Sequence, residues 1–168
     1  MILTSVKQDD PILKQKTEPF DFKVLLIDPS ELARNLYETL MSSSYMGLSA
    51  PQVGLPYRAF ALRTHPGIVC FNPRVVDTSK EEIILEEVNF TFPHLSFPVK
   101  RPKKIKVRYA EPNGIIKTAT FEGLTARYFL QQVDHLDGLL YTQKANKIHL
   151  DRALRKKKRL ERQAKVKG

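Results

Sequence analysis

Leu124-Thr125-Ala126-Arg127-Tyr128-Phe129-Leu130-Gln131-Gln132-Val133-Asp134-His135-Leu136, introduced by Gly123 and closed by Asp137-Gly138, is the stretch that decides the fold of this 168-residue chain. Leu124, Tyr128, Gln131 and His135 form one row at helical spacing, and Ala126, Leu130 and Val133 fall on the adjoining apolar rows. The pattern predicts a helix over 124–136, stopped by Asp137-Gly138. Working backwards, 115–121 and 104–109 read as strands joined by a Pro112-Asn113-Gly114 turn, with clear alternation in Ile105-Lys106-Val107-Arg108-Tyr109. Residues 83–91, 67–71 and 57–62 are further strand candidates, and 47–54 reads as a loop. Ser30 after Pro29 reads as the N-cap of a helix over 31–43, with Leu32, Leu36 and Leu40 on one face. Residues 5–23, punctuated by Asp10-Pro11 and Glu18-Pro19, read as an extended segment wrapped on the body. This order argues an α+β fold, mostly antiparallel strands around a central helix, plus a basic C-terminal helix.

Composition limits the function classes. The length suits one core rather than two, and 42% apolar with 27% charged residues excludes a disordered or collagen-like chain. The apolar runs Val24-Leu25-Leu26-Ile27 and Ile83-Ile84-Leu85 fall far short of the roughly 18 residues that span a bilayer, so no membrane partner is expected. Met1-Ile2-Leu3-Thr4-Ser5-Val6 lacks the charged, apolar and small-residue regions of a secretory signal, and a cytoplasmic location is expected. The single cysteine, Cys70, sits in the apolar run Ile68-Val69-Cys70-Phe71 and reads as a buried, inert thiol.

The formal charge of +10 is unevenly placed, with nine Lys or Arg against two acidic residues over 151–168. The chain therefore divides into a near-neutral body, 1–150, and a basic helix or tail, 151–168. The tail's apolar stripe is thin, so a solvated helix is one reading. The other is a handle for an anionic partner. Arg155-Lys156-Lys157-Lys158-Arg159 repel one another and gain from an anionic surface through counterion release, with a salt slope of about −0.7 to −0.9 per phosphate contacted. No aromatic interleaves the run, which argues against sequence-specific single-strand binding.

Gly47-Leu48-Ser49-Ala50-Pro51-Gln52-Val53-Gly54 resembles the first signature of peptide deformylases, and Val133-Asp134-His135-Leu136-Asp137-Gly138 resembles the closing half of that family's metal-binding helix. Between them, Glu86-Glu87-Val88-Asn89-Phe90-Thr91-Phe92-Pro93 and Pro98-Val99-Lys100-Arg101-Pro102 match the family's cysteine-bearing strand and the arginine-proline after it. The resemblance covers essentially the whole chain. It implies removal of the formyl group from the N-terminal methionine of nascent polypeptides. The implied cofactor is a divalent metal (Fe, Zn or Ni) held by one cysteine and the two histidines of an H-E-x-x-H helix, with the glutamate as general base. It also implies that the basic helix meets the ribosome near the tunnel exit, through ribosomal RNA and protein, with a nascent peptide N-terminus as a cleft ligand.

The residues depart from that pattern at the reaction centre. Asn89 stands at the cysteine position, Gln131 at the first histidine and Gln132 at the glutamate; His135 is the one ligand retained. Residues 131 and 135 still share a helix face. Neutral carboxamides are poor donors for a transition metal, and Gln132 has no lone pair basic enough to deprotonate water, a loss of about 10²–10⁴ in rate. No cofactor is therefore expected. The main expectation is a catalytically impaired, ribosome- or nascent-chain-binding relative; the alternative is an active deformylase with non-standard ligands. The resemblance assigns Gln52 and the backbone N–H of Phe90 to the oxyanion, and Gly47 to the substrate backbone. Tyr45 replaces the first glycine of the loop motif and is expected to crowd the cleft mouth. Read from its row alone, His135 is a hydrogen-bonded core histidine, and Glu87 and Arg101 pair as ions across neighbouring strands.

Overall fold

Asp28, two residues ahead of the expected cap, starts the first helix. In the structure, a computed structural model describing residues 1–24 and 26–168, α1 spans Pro29–Met41. The Asp28 carboxylate accepts the Ser30 N–H at 2.9 Å, and Pro29 fills a first-turn position that needs no donor. This displaces Ser30 from the cap and moves the helix two residues towards the N-terminus. Leu32, Leu36 and Leu40 are fully buried as their spacing requires. Leu25, within the apolar run noted above, lies outside the described residues.

Five strands form one antiparallel sheet: β1 (Gly47–Ser49), β2 (Ala59–Leu62), β3 (Ile68–Thr78), β6 (Lys104–Ala110) and β7 (Ile116–Glu122), in the order β1-β2-β3-β6-β7. A second, two-stranded sheet pairs β4 (Glu82–Glu87) with β5 (Phe97–Pro102). The helix over Gly123–Leu136 is α2, and α3 spans Lys147–Lys167. The α+β, mostly antiparallel fold with a basic C-terminal helix is as the sequence order implied.

Three local differences have clear causes. The 47–54 segment is only partly a loop: Gly47 to Ser49 pair with β2, and Ala50–Val53 close a 3₁₀ turn. β3 runs past Phe71 because a bulge absorbs Asn72 and Pro73. Asn72 adopts φ 48° and its amide bonds the Phe20 N–H and C=O at 2.7 and 2.8 Å, fastening the leading segment to the sheet. β4 stops at Glu87 rather than 91, and β5 was hidden by its prolines. Pro98 and Pro102 share one parity, opposite Glu86 and Glu82, so their missing donors face away from β4.

α2 lays Ala126, Phe129 and Leu136 on Phe60, Cys70, Ile105 and Val107 of the large sheet. Cys70 is fully buried, and that burial pushes its thiol pKa well up. A smaller core joins Phe92, Leu95, Phe97 and Val99 to Ala153 and Leu150 of α3. No helix among the described residues is long and apolar enough to cross a membrane.

Candidate functional site

Three elements meet where the first motif, the β4–β5 connection and α2 converge. The 3₁₀ turn after β1 presents Gln52, the segment after β4 presents Asn89 and Thr91, and α2 presents Gln131, Gln132 and His135. Gln52, Asn89, Thr91, Gln131, Gln132 and His135 are all buried.

Gln52 is held on both sides. Its Oε1 accepts the Ser49 N–H and hydroxyl at 2.9 and 3.0 Å, while Nε2 donates to Asn89 Oδ1 at 3.1 Å and Thr91 Oγ1 at 3.0 Å. Both amide hydrogens are therefore taken. Asn89 Oδ1 also accepts the Thr91 N–H at 2.8 Å. Two donors on Oδ1 fix the orientation of this amide, so Nδ2 is the atom 2.5 Å from His135 Nε2. Nε2 must accept, and the imidazole is the neutral Nδ1–H tautomer. Burial, reinforced by the nearby positive charge of Arg101, lowers the His135 pKa from 6.5 to about 4. His135 is thus neutral, with its Nε2 lone pair occupied.

Gln131 turns to the other side. Its Nε2 bonds Glu87 Oε2 and the Val88 carbonyl, both at 3.2 Å, and its Oε1 accepts a long 3.4 Å contact from Gln132 Nε2. Gln132 packs flat on Gly47, where an added Cβ would lie 2.6 Å from Gln132 Nε2. Among the described residues, Gln132 Oε1 and His135 Nδ1 have no partner.

Behind this row lies the expected Glu87–Arg101 pair, enlarged by one member that sequence reasoning missed. Arg101 Nε and Nη2 and Arg127 Nη1 all reach the Glu87 carboxylate, and Arg101 Nη1 also reaches Asp134 at 2.9 Å. Arg127, four residues before Gln131 on α2, could have been suspected from that spacing alone. Thr91 carried no signal beyond its nearness to Asn89.

At the cleft mouth, Tyr45 lies edge-on to Phe90 with ring centroids 5.4 Å apart, as the bulky residue at that position suggested. Together with Gly47, Val88, Tyr128 and Gln131 they leave a cleft of about 50 Å³, room for a few water molecules. Phe90 enters the site by its ring. Among the described residues, no three His, Cys, Asp or Glu side chains converge as a metal site requires. The expected tail residues Arg155, Lys156, Lys158 and Arg159 are exposed on α3, while Lys157 bonds Glu161 at 2.7 Å.

Comparison with known proteins defines the class. The fold matches the crystal structure of a peptide deformylase from Legionella pneumophila with a TM-score of 0.87 over 98% of each chain, at 24% identity. The family model for polypeptide deformylase matches residues 2–151. Peptide deformylases from Dictyoglomus thermophilum and Rhizobium meliloti are 37% and 32% identical, covering 86% and 95% of this chain and 94% and 92% of their own lengths. The chain belongs to the peptide deformylase family.

Proposed function

We propose that this protein keeps the deformylase framework as a binding protein and has lost the family's metal-dependent hydrolysis. The observation that carries this reading is the Asn89 Nδ2 contact to His135 Nε2 at 2.5 Å. It occupies the one lone pair in the site suited to a transition metal. Of the remaining donors, the Gln52 and Gln131 carboxamides are bonded to Ser49, Thr91, Glu87 and Val88, and Gln132 offers a single neutral amide oxygen. This donor set does not fit the family's divalent metal, since neutral amide oxygens supply neither the softness nor the charge of a thiolate and a second imidazole. Gln132 at the general-base position and the occupied amide of Gln52 support the same reading.

Residues 1–150 act as the body and 151–168 as a cationic handle, although α3 itself begins at Lys147. The handle meets the ribosome near the tunnel exit in the cytoplasm, through ribosomal RNA and protein, and places the cleft beside the nascent N-terminus. The exposed cations Arg155, Lys156, Lys158 and Arg159 of α3 support this partner. Replacing Arg155, Lys156, Lys158 and Arg159 by Gln should flatten the salt dependence of ribosome binding by about three units of slope. An unchanged slope would remove the tail from the interface.

The comparisons favour a second reading, an active metal-dependent deformylase with other ligands, because the relatives bear that name and the positions of the motifs are kept. Metal content of the purified protein, measured beside formate release from a formyl-methionyl peptide, decides between the two. The binding-protein reading expects far less than one metal per chain and no chelator-sensitive release. Stoichiometric metal with release abolished by chelator would establish the second reading instead.

A further inference from the structure

We infer that Asn89 acts as a lock on His135: its amide, held in one orientation by Gln52 and Thr91, closes the site to metal independently of the missing ligands. The inference rests on the metal-free reading above and deepens it by assigning the exclusion to one side chain.

A metal reaching His135 has to displace the Asn89 N–H from Nε2. The amide cannot yield by flipping. Oδ1 holds Gln52 Nε2 at 3.1 Å and the Thr91 N–H at 2.8 Å, so a flip would set an NH₂ against two donors. Nor can it swing away freely, because Asn89 and His135 are each 1% exposed. Gln52 is itself pinned by Ser49, so the restraint extends from the first motif through Asn89 to α2. The carboxamide thereby performs one duty of a metal ion, tying the segment after β4 to the helix, with hydrogen bonds in place of coordination. Asn89 is a positioning residue in this role, since it acts through the imidazole.

An account based only on missing ligands makes a different prediction. If the site lacks metal merely for want of donors, supplying a second histidine at 131 should create an i, i+4 pair with His135, whatever stands at 89. If Asn89 is a lock, the new histidine gains little until Asn89 is removed, even by a residue with no donor of its own.

The test is a titration with Co²⁺ and Zn²⁺ of the full chain carrying Gln131→His, alone and combined with Asn89→Ala. The combined variant should bind at least about tenfold more tightly than Gln131→His alone, the factor that one competing hydrogen bond represents. Asn89→Ser serves as a second combination, because its hydroxyl can still meet Gln52 while falling short of His135. Equal affinity with Asn89 and with Ala or Ser at 89 would overturn the lock and leave the metal-free reading standing. Stoichiometric metal in the unmodified protein would overturn both. Nitrogen-15 NMR of the unmodified protein gives a readout independent of metal: a neutral imidazole protonated on Nδ1 is expected, and protonation on Nε2 would refute the assignment.

Discussion

Replacing Glu87 by Gln changes one atom and should destabilise the protein more than any surface charge substitution. Glu87 is 1% exposed, and its carboxylate receives Arg101, Arg127 at 2.8 Å and Gln131 at 3.2 Å. Arg101 and Arg127 are each 3% exposed, so neither can turn to water when the charge is lost. In the Gln variant the new NH₂ faces either Arg127 Nη1 and Arg101 Nε or Gln131 Nε2 and Arg101 Nη2, and donor meets donor in both cases. Arg101 keeps Asp134, and Arg127 keeps the Val99 and Ile83 carbonyls, which limits the damage. Breaking a buried pair from one side costs about 3–5 kcal/mol. In a chain of this length each kcal/mol lowers Tm by about 2–4 °C, giving a fall on the order of ten degrees. Glu82→Gln is the control, because its pair with Lys100 is exposed and contributes about 0–1 kcal/mol. Urea denaturation of both variants at neutral pH measures the difference. A Glu87→Gln loss within about 1 kcal/mol of the Glu82→Gln loss would refute the view that this cluster is a buried charge centre.

Other outcomes follow from single contacts. Because burial lowers the His135 pKa from 6.5 to about 4, the unfolded chain binds a proton in that interval that the folded chain does not. Stability should therefore be complete above about pH 6.5 and decline towards pH 4 by up to about 3 kcal/mol; a His135→Gln variant with the same decline would show that other groups cause it. Gly47→Ala places a Cβ 2.6 Å from Gln132 Nε2 and should cost about 1–3 kcal/mol. Much of that loss should return with Gln132→Ala, and additive losses in the double-variant cycle would mean the two residues do not meet. Asp28→Ala removes the cap of α1 and should cost about 1 kcal/mol by thermal melting, whereas Ser30→Ala should cost distinctly less.

Periodicity made the helices and the β6–β7 hairpin readable, because Leu32, Leu36 and Leu40, or Ile105, Val107 and Tyr109, bury one side whatever surrounds them. The β5 strand was not readable. Its prolines are tolerated only because of which edge they face, a property of pairing rather than of residue type. The same holds for Asn72, whose left-handed conformation is stabilised by Phe20, 52 residues away. At the site, motif registration located Asn89, Gln131, Gln132 and His135 by number. It could not show that Asn89 turns its nitrogen to His135, since that depends on Thr91 and on a glutamine from another motif. Nor could it show that both Gln52 hydrogens are already taken. Residue identity told which side chain stands at each motif position, and the contacts told what each of them bonds.

Thr17 grips the Leu136 carbonyl with its backbone N–H at 2.8 Å and its hydroxyl at 2.9 Å across 119 positions of sequence. That carbonyl belongs to the last turn of α2, where no intrahelical partner exists. The helix end is thus completed by a segment translated before it but seated after it, since closing so long a loop gains nothing until the sheet beneath it has formed. Assembly and its reversal then have an order: the strap should open before the sheet does. Amide exchange at Thr17 would register this partial opening at a lower free energy than exchange at Ile105 or Val107, whose protection reports the unfolding of the whole chain.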